Sequence, residues 1–231
     1  METQAVYRHK PVRSFVHRQS GLTPPRRDAL TRWLDQYQLP LDQGQLNWAR
    51  IFQRSAPLTL EIGFGMGHHF LKQAQAFPEE NFVGLEVHRP GIAAVLLEIE
   101  RKKLHNIRLI VADAVDVFKT SLPDNSIDRI QIFFPDPWPK RRHHKRRLIQ
   151  PAFCQLLRKK LKLGAHLQLA TDWEDYAQQM LGVLEATAGF KNLAGPGHFS
   201  PRLAQRHLTK FEQRALNLGH VIRDLQFMGI A

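Results

Sequence analysis

A glycine-rich turn headed by an acidic residue follows the first buried strand predicted in this chain. Its sequence is Glu61-Ile-Gly63-Phe-Gly65-Met-Gly67, directly after apolar residues that begin at Leu58. Glycines allow the backbone to turn tightly and a ligand to approach it closely, although a tight loop without a ligand can have the same composition. Dinucleotide-binding folds use the spacing G-x-G-x-x-G to hold a pyrophosphate. The spacing here is G-x-G-x-G, and the carboxylate at its head favours a cationic group such as an ammonium.

Two further acidic residues end the next two predicted strands. Glu86 is placed to accept both hydroxyls of a ribose, unless it is only a loop carboxylate. Asp113 can accept a hydrogen bond from an adenine amino group, or it can cap the helix predicted to begin at Ala114. With the turn, these residues resemble class I S-adenosylmethionine-dependent methyltransferases over roughly residues 55–231. The resemblance implies S-adenosylmethionine as cofactor, with contacts at Glu61, Gly63, Gly65, Gly67, Glu86 and Asp113.

The fourth predicted strand opens onto a proline-rich loop that combines aromatic, acidic and basic residues. The loop reads Phe133-Phe-Pro-Asp136-Pro-Trp-Pro-Lys140 and continues into the basic run KRRHHKRR at 140–147. Prolines restrict the backbone of such a loop. They therefore place Asp136 and Lys140 beside the predicted methyl donor, with a phosphate-binding stretch next to them. The two histidines of this run are better interpreted as part of the basic patch than as metal ligands, and no metal site is predicted.

The charge of the chain is concentrated in two stretches. The 231 residues carry a formal net charge of +12, of which residues 1–27 contribute +5 and residues 140–147 contribute +6. Two basic patches on a nearly neutral body are typical of a protein that binds a polyanion, here a nucleic acid. No apolar run is long enough to span a bilayer, and the N-terminus lacks the apolar core of a signal peptide. With a single cysteine, the chain is predicted to be cytoplasmic, without a disulfide or a membrane partner.

Strands and helices alternate along the chain, which predicts an α/β fold with a doubly wound, mostly parallel sheet. Thr23 and the prolines after it predict the start of the first helix, and Gly164 suits the C-cap of a later one. Residues 1–50 are predicted to form a basic arm plus one helix, and residues 51–231 the catalytic domain. Strands are predicted at 58–64, 81–87, 106–114, 127–134, 166–171 and 220–228.

Motifs across nearly the whole chain resemble bacterial tRNA (guanine-N7)-methyltransferases, the TrmB family. These motifs are RSFVHRQSG near the N-terminus, PDPWPK before the basic run, Thr171-Asp172, and the TKFE sequence at 209–212. The resemblance implies a seven-stranded sheet and methylation of the guanine in the tRNA variable loop (position 46 in tRNA numbering). It also implies that Asp136 is the catalytic residue and contacts the cofactor. Substrate contacts are implied at Lys140, Asp172, Thr209, Lys210, Phe211 and Glu212, and RNA contacts at Arg142, His143, His144, Lys145, Arg146 and Arg147.

The residues themselves leave some of these roles open. Thr209 and Glu212 have the spacing of a capping box, and this can be their whole role. A carboxylate such as that of Glu212 can also accept from the two adjacent N–H groups of guanine. The alternatives to tRNA N7 methylation are a methyltransferase acting on adenine N6 in rRNA or DNA, and a non-catalytic RNA-binding protein of the same fold. No obligatory protein partner is implied.

Overall fold

The computed structural model describes residues 22–42, 44–204, 206–208 and 210–231, and describes the backbone but not the side chains of Lys210 and Phe211. The N-terminal motif RSFVHRQSG and Thr209 lie outside these residues. The strands are β1 (Leu58–Ile62), β2 (Asn81–Leu85), β3 (Ile107–Ile110), β4 (Ile127–Phe133), β5 (Leu161–Thr171), β6 (Phe190–Asn192) and β7 (Arg223–Gly229).

Helices connect most of these strands, as the alternating pattern predicts. They are α1 (Pro24–Tyr37), α2 (Trp48–Phe52), α3 (His68–Ala76), α4 (Arg89–Lys102), α5 (Ala114–Thr120), α6 (Pro151–Lys160), α7 (Glu174–Glu185) and α8 (Lys210–Asn217). A short 3₁₀ helix, η1 (Arg141–Arg146), contains most of the basic run.

The seven strands form one sheet in the order β3-β2-β1-β4-β5-β7-β6. Strands β1 to β5 are parallel to one another, whereas β7 is antiparallel to both β5 and β6. The order reverses direction between β1 and β4, and ligands of open parallel sheets bind at such a switch point, outside the carboxyl ends of the strands. The structure confirms the predicted doubly wound α/β fold with seven strands.

Helices cover both faces of the sheet and form two apolar cores. The larger core joins the sheet to α5, α6 and α7, and the second joins it to α1, α3 and α4. Helix α1 belongs to the second core, where Leu30 is buried and the Tyr37 hydroxyl donates to Glu100 at 2.7 Å. The backbone N–H of Leu39 also donates to the carbonyl of Leu109 in β3 at 2.8 Å. Residues 22–39 therefore pack against the sheet and its helices.

One local prediction is wrong in detail. Gly164 does not cap a helix, because α6 ends at Lys160 and Gly164 lies inside β5 with φ of +76°. The strand bulges there: Leu161 pairs with Ile127, but His166 pairs with Arg129. The predicted start of the first helix is confirmed: α1 begins at Pro24 with Thr23 at its N-cap, although the Thr23 side chain makes no capping hydrogen bond. Strand β6 and helix α2 were not predicted.

The single cysteine of the chain lies within the larger core. Cys154 is fully buried on α6, and burial raises the pKa of its thiol to about 12. A thiol with so high a pKa stays protonated and unreactive in neutral solution. None of the helices in the described ranges is long and apolar enough to cross a membrane.

Candidate active site

A cavity of about 200 Å³ opens at the carboxyl ends of β1, β2 and β4. Three of the predicted site residues, Gly63, Glu86 and Asp136, line it together. The remaining walls are mainly apolar and consist of Ile62, Leu85, Val87, Ala112, Ala114, Ile132, Phe133, Phe134, Pro135 and Leu148. The cavity therefore lies where the strand-end rule predicts a ligand, with polar groups at few positions.

The glycine-rich turn between β1 and α3 depends on left-handed backbone conformations. Gly63, Gly65 and Gly67 have φ of 76°, 55° and 74°. Side chains larger than hydrogen disfavour this region, so glycine is required for backbone reasons alone. Gly67 has a second constraint, since a Cβ there would lie 2.1 Å from Cγ2 of Val95 on α4. The turn is thus fixed tightly between the sheet and α4.

Glu86 holds this turn against the end of β2. One oxygen of its buried carboxylate accepts from the backbone N–H of Gly65 at 2.8 Å. The other accepts from Val87 and His88 at 2.7 and 2.9 Å. Three backbone donors therefore orient the carboxylate at the cavity wall. The predicted ribose contact stays a prediction, and only the oxygen that accepts from Gly65 has a further lone pair for it.

Glu61 is buried, and its Oε2 atom has no hydrogen-bond partner among the described residues. Burial, and then the negative charge of Glu86, raise the pKa of its carboxyl from 4.5 to about 8. A buried carboxylate gains most from a cationic partner, and the ammonium group of S-adenosylmethionine is one. The residues of the turn therefore fit the cofactor that the sequence implies.

Asp113 caps helix α5, as one of its two interpretations predicts. Its side chain accepts from the backbone N–H of Val115 at 2.9 Å. This capping hydrogen bond occupies only one of the two carboxylate oxygens of Asp113. The predicted hydrogen bond from adenine stays a prediction.

The loop after β4 has an unusual backbone. Phe134 and Trp138 adopt φ of 53° and 45°, a conformation that costs energy for large side chains. Such strain persists only where neighbouring contacts determine the conformation, and it is frequent at active sites. Asp136 lies between these two residues, exposed and at the cavity. The loop therefore presents its carboxylate to the site from a fixed backbone.

The structure corrects one of the predicted RNA contacts, that of Arg147. Its side chain is buried, and its guanidinium donates to the Pro137 carbonyl at 2.8 Å, to Gln179 at 2.6 Å and to Asp175 at 2.5 Å. A buried guanidinium with three partners does not reach a phosphate. Arg147 instead ties the Asp136 loop to α7.

The other cations of the run are placed differently. Lys140, Arg142 and Lys145 are exposed, as is Arg141. The guanidinium of Arg146 lies 4.0 Å from the centre of the Trp138 ring, and His143 contacts the same ring edge-on at 5.8 Å. His144 lies 3.8 Å from the Asp175 carboxylate. The structure thus leaves an exposed basic surface beside the Asp136 loop.

The predicted substrate residues of the C-terminal part are only partly described. Asp172 follows β5, and its Oδ2 lies 3.4 Å from Nδ1 of His220. Lys210 and Phe211 begin α8, and Glu212 is buried in its first turn. Their contacts with a substrate stay predictions.

A buried ionic cluster, formed by Arg206, Glu212 and Asp224, was missed by the sequence analysis. Arg206 donates to both oxygens of Asp224 at 2.8 and 2.9 Å, and its Nη1 lies 2.6 Å from Oε2 of Glu212. Arg202 adds a second guanidinium, 3.3 Å from the other Glu212 oxygen. The available signal was weak: a single acidic residue, Asp224, in the middle of the last predicted strand.

His69 connects this part of the chain to the glycine-rich turn. It is buried in the first turn of α3, and its Nδ1 accepts from the backbone N–H of His207 at 3.1 Å. Its ring contacts Phe133 edge-on at 5.0 Å between centroids. Burial lowers the pKa of His69 to about 4, so its imidazole is neutral near pH 7.

Solved structures share this fold at low sequence identity. The 16S rRNA methyltransferase KamB superposes with a TM-score of 0.57 and is 15% identical, covering 80% of this chain and 93% of its own. At this identity the likeness shows the fold alone.

Sequence comparisons identify the family. A family model described as "Putative methyltransferase" matches residues 55–225. A tRNA (guanine-N(7)-)-methyltransferase of Alcanivorax borkumensis is 50% identical, covering 94% of this chain and 91% of its own. One from Pseudomonas fluorescens strain Pf-5 is 47% identical, covering 96% and 92%. The chain belongs to the tRNA (guanine-N7)-methyltransferase family.

Proposed function

We propose that this protein transfers the methyl group of S-adenosylmethionine to N7 of a guanine in the variable loop of tRNA, at position 46 in tRNA numbering, giving 7-methylguanosine. The observation that carries the proposal is the cavity at the switch point, where Gly63, Glu86 and Asp136 meet. Relatives about half identical over nearly the whole chain, named for this reaction, support it.

The cofactor is held by the ends of the first three strands. Glu61 pairs with its ammonium group, Glu86 accepts from the ribose hydroxyls, and Asp113 accepts from the adenine amino group. The backbone of Gly63, Gly65 and Gly67 leaves room for close approach, because no Cβ atoms project from the turn. When bound, S-adenosylmethionine supplies an electrophilic methyl group on a sulfonium.

Asp136 acts on the guanine by position and charge. Guanine N7 has an in-plane lone pair and carries no proton, so the reaction needs no general base to create a nucleophile. Positive charge develops on the base as N7 is methylated. A carboxylate held by a rigid loop orients the base and stabilises that charge without rearranging.

The RNA is bound by residues on both sides of Asp136. Lys140, Arg142, Lys145 and Arg146 contact phosphates, together with His143 and His144 at the edge of the patch. Asp172 and the Thr209–Glu212 segment, with Lys210 and Phe211, contact the target nucleotide. A guanine stacked within folded tRNA must leave its stack to reach the cavity, and the phosphate contacts hold the RNA meanwhile. We place this reaction in the cytoplasm, with tRNA as the partner and no protein partner needed.

The test is to incubate the protein with labelled S-adenosylmethionine and unmodified tRNA, then digest the product to nucleosides. We expect label in 7-methylguanosine, and loss of turnover in Asp136→Asn with tRNA affinity nearly unchanged. Asp35→Asn, an exposed carboxylate on α1, is the matched control. Label in N6-methyladenosine, or cofactor-independent RNA binding without label, would establish one of the alternative functions instead.

A further inference from the structure

The loop that carries Asp136 is fixed to its neighbours on both sides of that residue. On one side, the backbone N–H of Phe134 donates to the carbonyl of Ala170 in β5 at 2.8 Å. On the other side, the carbonyl of Pro137 accepts from Nε of Arg147 at 2.8 Å. Pro137 directly follows Asp136, so the second hydrogen bond holds the chain one residue after the carboxylate.

Arg147 is in turn held by one face of α7. Its other two guanidinium nitrogens donate to Gln179 at 2.6 Å and to Asp175 at 2.5 Å, and these two residues lie one turn apart on the helix. The guanidinium carbon also lies 4.8 Å from the centre of the fully buried Tyr176 ring. Only 1% of the Arg147 side chain is exposed, so water does not compete for these hydrogen bonds.

The planar guanidinium explains why this position suits an arginine. Its three nitrogens point in fixed directions within one plane, and here they reach a backbone carbonyl, an amide oxygen and a carboxylate at once. A lysine ammonium has a single nitrogen, which could keep the ion pair with Asp175 but not all three partners. The arginine therefore forms a rigid connection between α7 and the Asp136 loop.

The backbone of the loop depends on contacts of this kind. Trp138, directly after Pro137, has φ of 45°, and such a conformation persists only where neighbouring contacts determine it. Without the hydrogen bond from Arg147, the Pro137 carbonyl would be free to turn and Trp138 could return to an ordinary backbone conformation. Asp136 would then lose its fixed position at the cavity.

We propose that Arg147 is a positioning residue for methyl transfer: by holding the Pro137 carbonyl against α7, it keeps the Asp136 carboxylate in the orientation in which it acts on guanine. The inference rests on the proposed function of Asp136. It gives Arg147 a role in turnover in place of the RNA contact that the family resemblance implies. Arg147 acts through the loop and touches neither the RNA nor the cofactor.

The test separates the rate of methyl transfer from the affinity for tRNA. Single-turnover rates are measured with protein in excess over tRNA and with saturating S-adenosylmethionine, and the Kd for tRNA is measured by filter binding. In Arg147→Lys we expect the rate to fall by roughly 10- to 100-fold, because a small displacement of a catalytic group has a large effect. The Kd for tRNA should stay within about twofold of the wild-type value, since Arg147 makes no phosphate contact. Weaker tRNA binding with a wild-type rate would overturn the positioning role.

Two further variants separate this effect from the loss of any buried arginine or ion pair. Arg54→Lys is the matched control, because the Arg54 guanidinium also binds two carbonyls and an amide side chain, at the amino end of β2 and away from the cavity. It should keep the wild-type rate. Asp175→Asn weakens the hold of α7 on Arg147 and should slow methyl transfer by roughly 3- to 10-fold, so the test stands even if Arg147→Lys does not fold.

A spectroscopic signal distinguishes positioning from a general loss of stability. In protein labelled with fluorotryptophan, the fluorine resonance of Trp138 is identified by its absence in Trp138→Phe, and it reports the conformation of the loop. In Arg147→Lys this resonance should shift or broaden, whereas that of Trp33 on α1 should not. An unchanged Trp138 resonance would show that the loop does not depend on Arg147 and would overturn the proposal.

The identity of the product keeps the two proposals apart. If the wild type forms 7-methylguanosine and both Arg147→Lys and Asp175→Asn keep its rate, the role of Arg147 is overturned and the proposed function remains. If the wild type forms no 7-methylguanosine, the proposed function fails, and the role of Arg147 in turnover fails with it.

Discussion

The two halves of the site handle buried charge in opposite ways. The acidic half, at the ends of β1 to β3, contains Glu61, whose buried Oε2 has no hydrogen-bond partner among the described residues. The arginine half, at the ends of β4, β5 and β7, matches Glu212 and Asp224 with the guanidinium of Arg206. The difference indicates the charge of the ligand that each half can bind. The acidic half has an unpaired carboxyl that can accept a cationic group. In the arginine half the buried charges already balance each other, so it suits a neutral base.

The largest expected difference between the halves is in the free energy of unfolding after one charged side chain is neutralised in each half. Arg206→Met should lower the free energy of unfolding by about 3–5 kcal/mol, because it leaves the buried Asp224 carboxylate without a cation and leaves Glu212 with Arg202 alone. Glu61→Gln should raise the stability of the ligand-free protein at pH 8. Urea denaturation measures both effects, and a loss of stability in both variants would contradict the comparison.

The sign for Glu61 follows from the direction of its shift. Its pKa is about 8 in the folded protein and ordinarily 4.5, so between these values the folded protein holds a proton that the unfolded chain has released. Stability therefore decreases as the pH rises through this window. Glu61→Gln should abolish this decrease, whereas Glu79→Gln, on the surface, should retain it.

Cofactor affinity should separate the halves next. Glu61→Gln removes a charge-assisted contact with the ammonium group, and we expect roughly a 10- to 100-fold weaker Kd for S-adenosylmethionine at pH 8. Glu212→Gln should leave this Kd unchanged while slowing methylation of tRNA. Calorimetry measures the Kd for S-adenosylmethionine in both variants. Equal losses of affinity would contradict the division of the site into two halves.

Salt dependence should divide the cations of the arginine half into buried and exposed. Replacing Arg142, Lys145 and Arg146 together by alanine should reduce the slope of log affinity for tRNA against log salt by about two to three, at roughly 0.7–0.9 per lost phosphate contact. Arg147→Lys should leave the slope unchanged, because Arg147 is buried against Pro137. If the plots of log affinity against log salt were parallel for the wild type and the triple variant, the RNA would bind at a different surface.

The smallest expected effect is the number of protons that the protein releases when the cofactor binds. At pH 7 the Glu61 carboxyl is mostly protonated in the free protein, and pairing with an ammonium group ionises it. Cofactor binding should therefore release about one proton and should tighten between pH 6 and pH 8. Titration in two buffers of different ionisation enthalpy measures this release, which should vanish in Glu61→Gln.

The fold could be predicted largely because parallel strands are buried on both faces and give continuous apolar runs. Strand β6 has only three residues at the edge of the sheet and gives no such run. Gly164 could not be placed, since a helix C-cap and a bulge both favour a glycine with positive φ.

The site was predictable where it depends on strand ends and not where it depends on pairing across the chain. Glu86 and Asp136 could be grouped because the ends of parallel strands meet at one edge. The partnership of Arg206 with Asp224 requires β7 to lie antiparallel beside β5, which no local pattern reveals. A run of basic residues likewise does not indicate which one is buried. The apolar residues Leu148 and Ile149, directly after Arg147, were the only local signal, and both are buried in the structure.

The buried state of Cys154 makes the chain a convenient scaffold for site-specific spectroscopy. It is the only cysteine in the sequence, and a protonated thiol inside α6 will not react with maleimide dyes under native conditions. A cysteine introduced by Arg141→Cys would then carry the single fluorophore of the molecule, on the exposed face of η1. Its emission would report the arrival of RNA in real time, without the native cysteine first having to be removed.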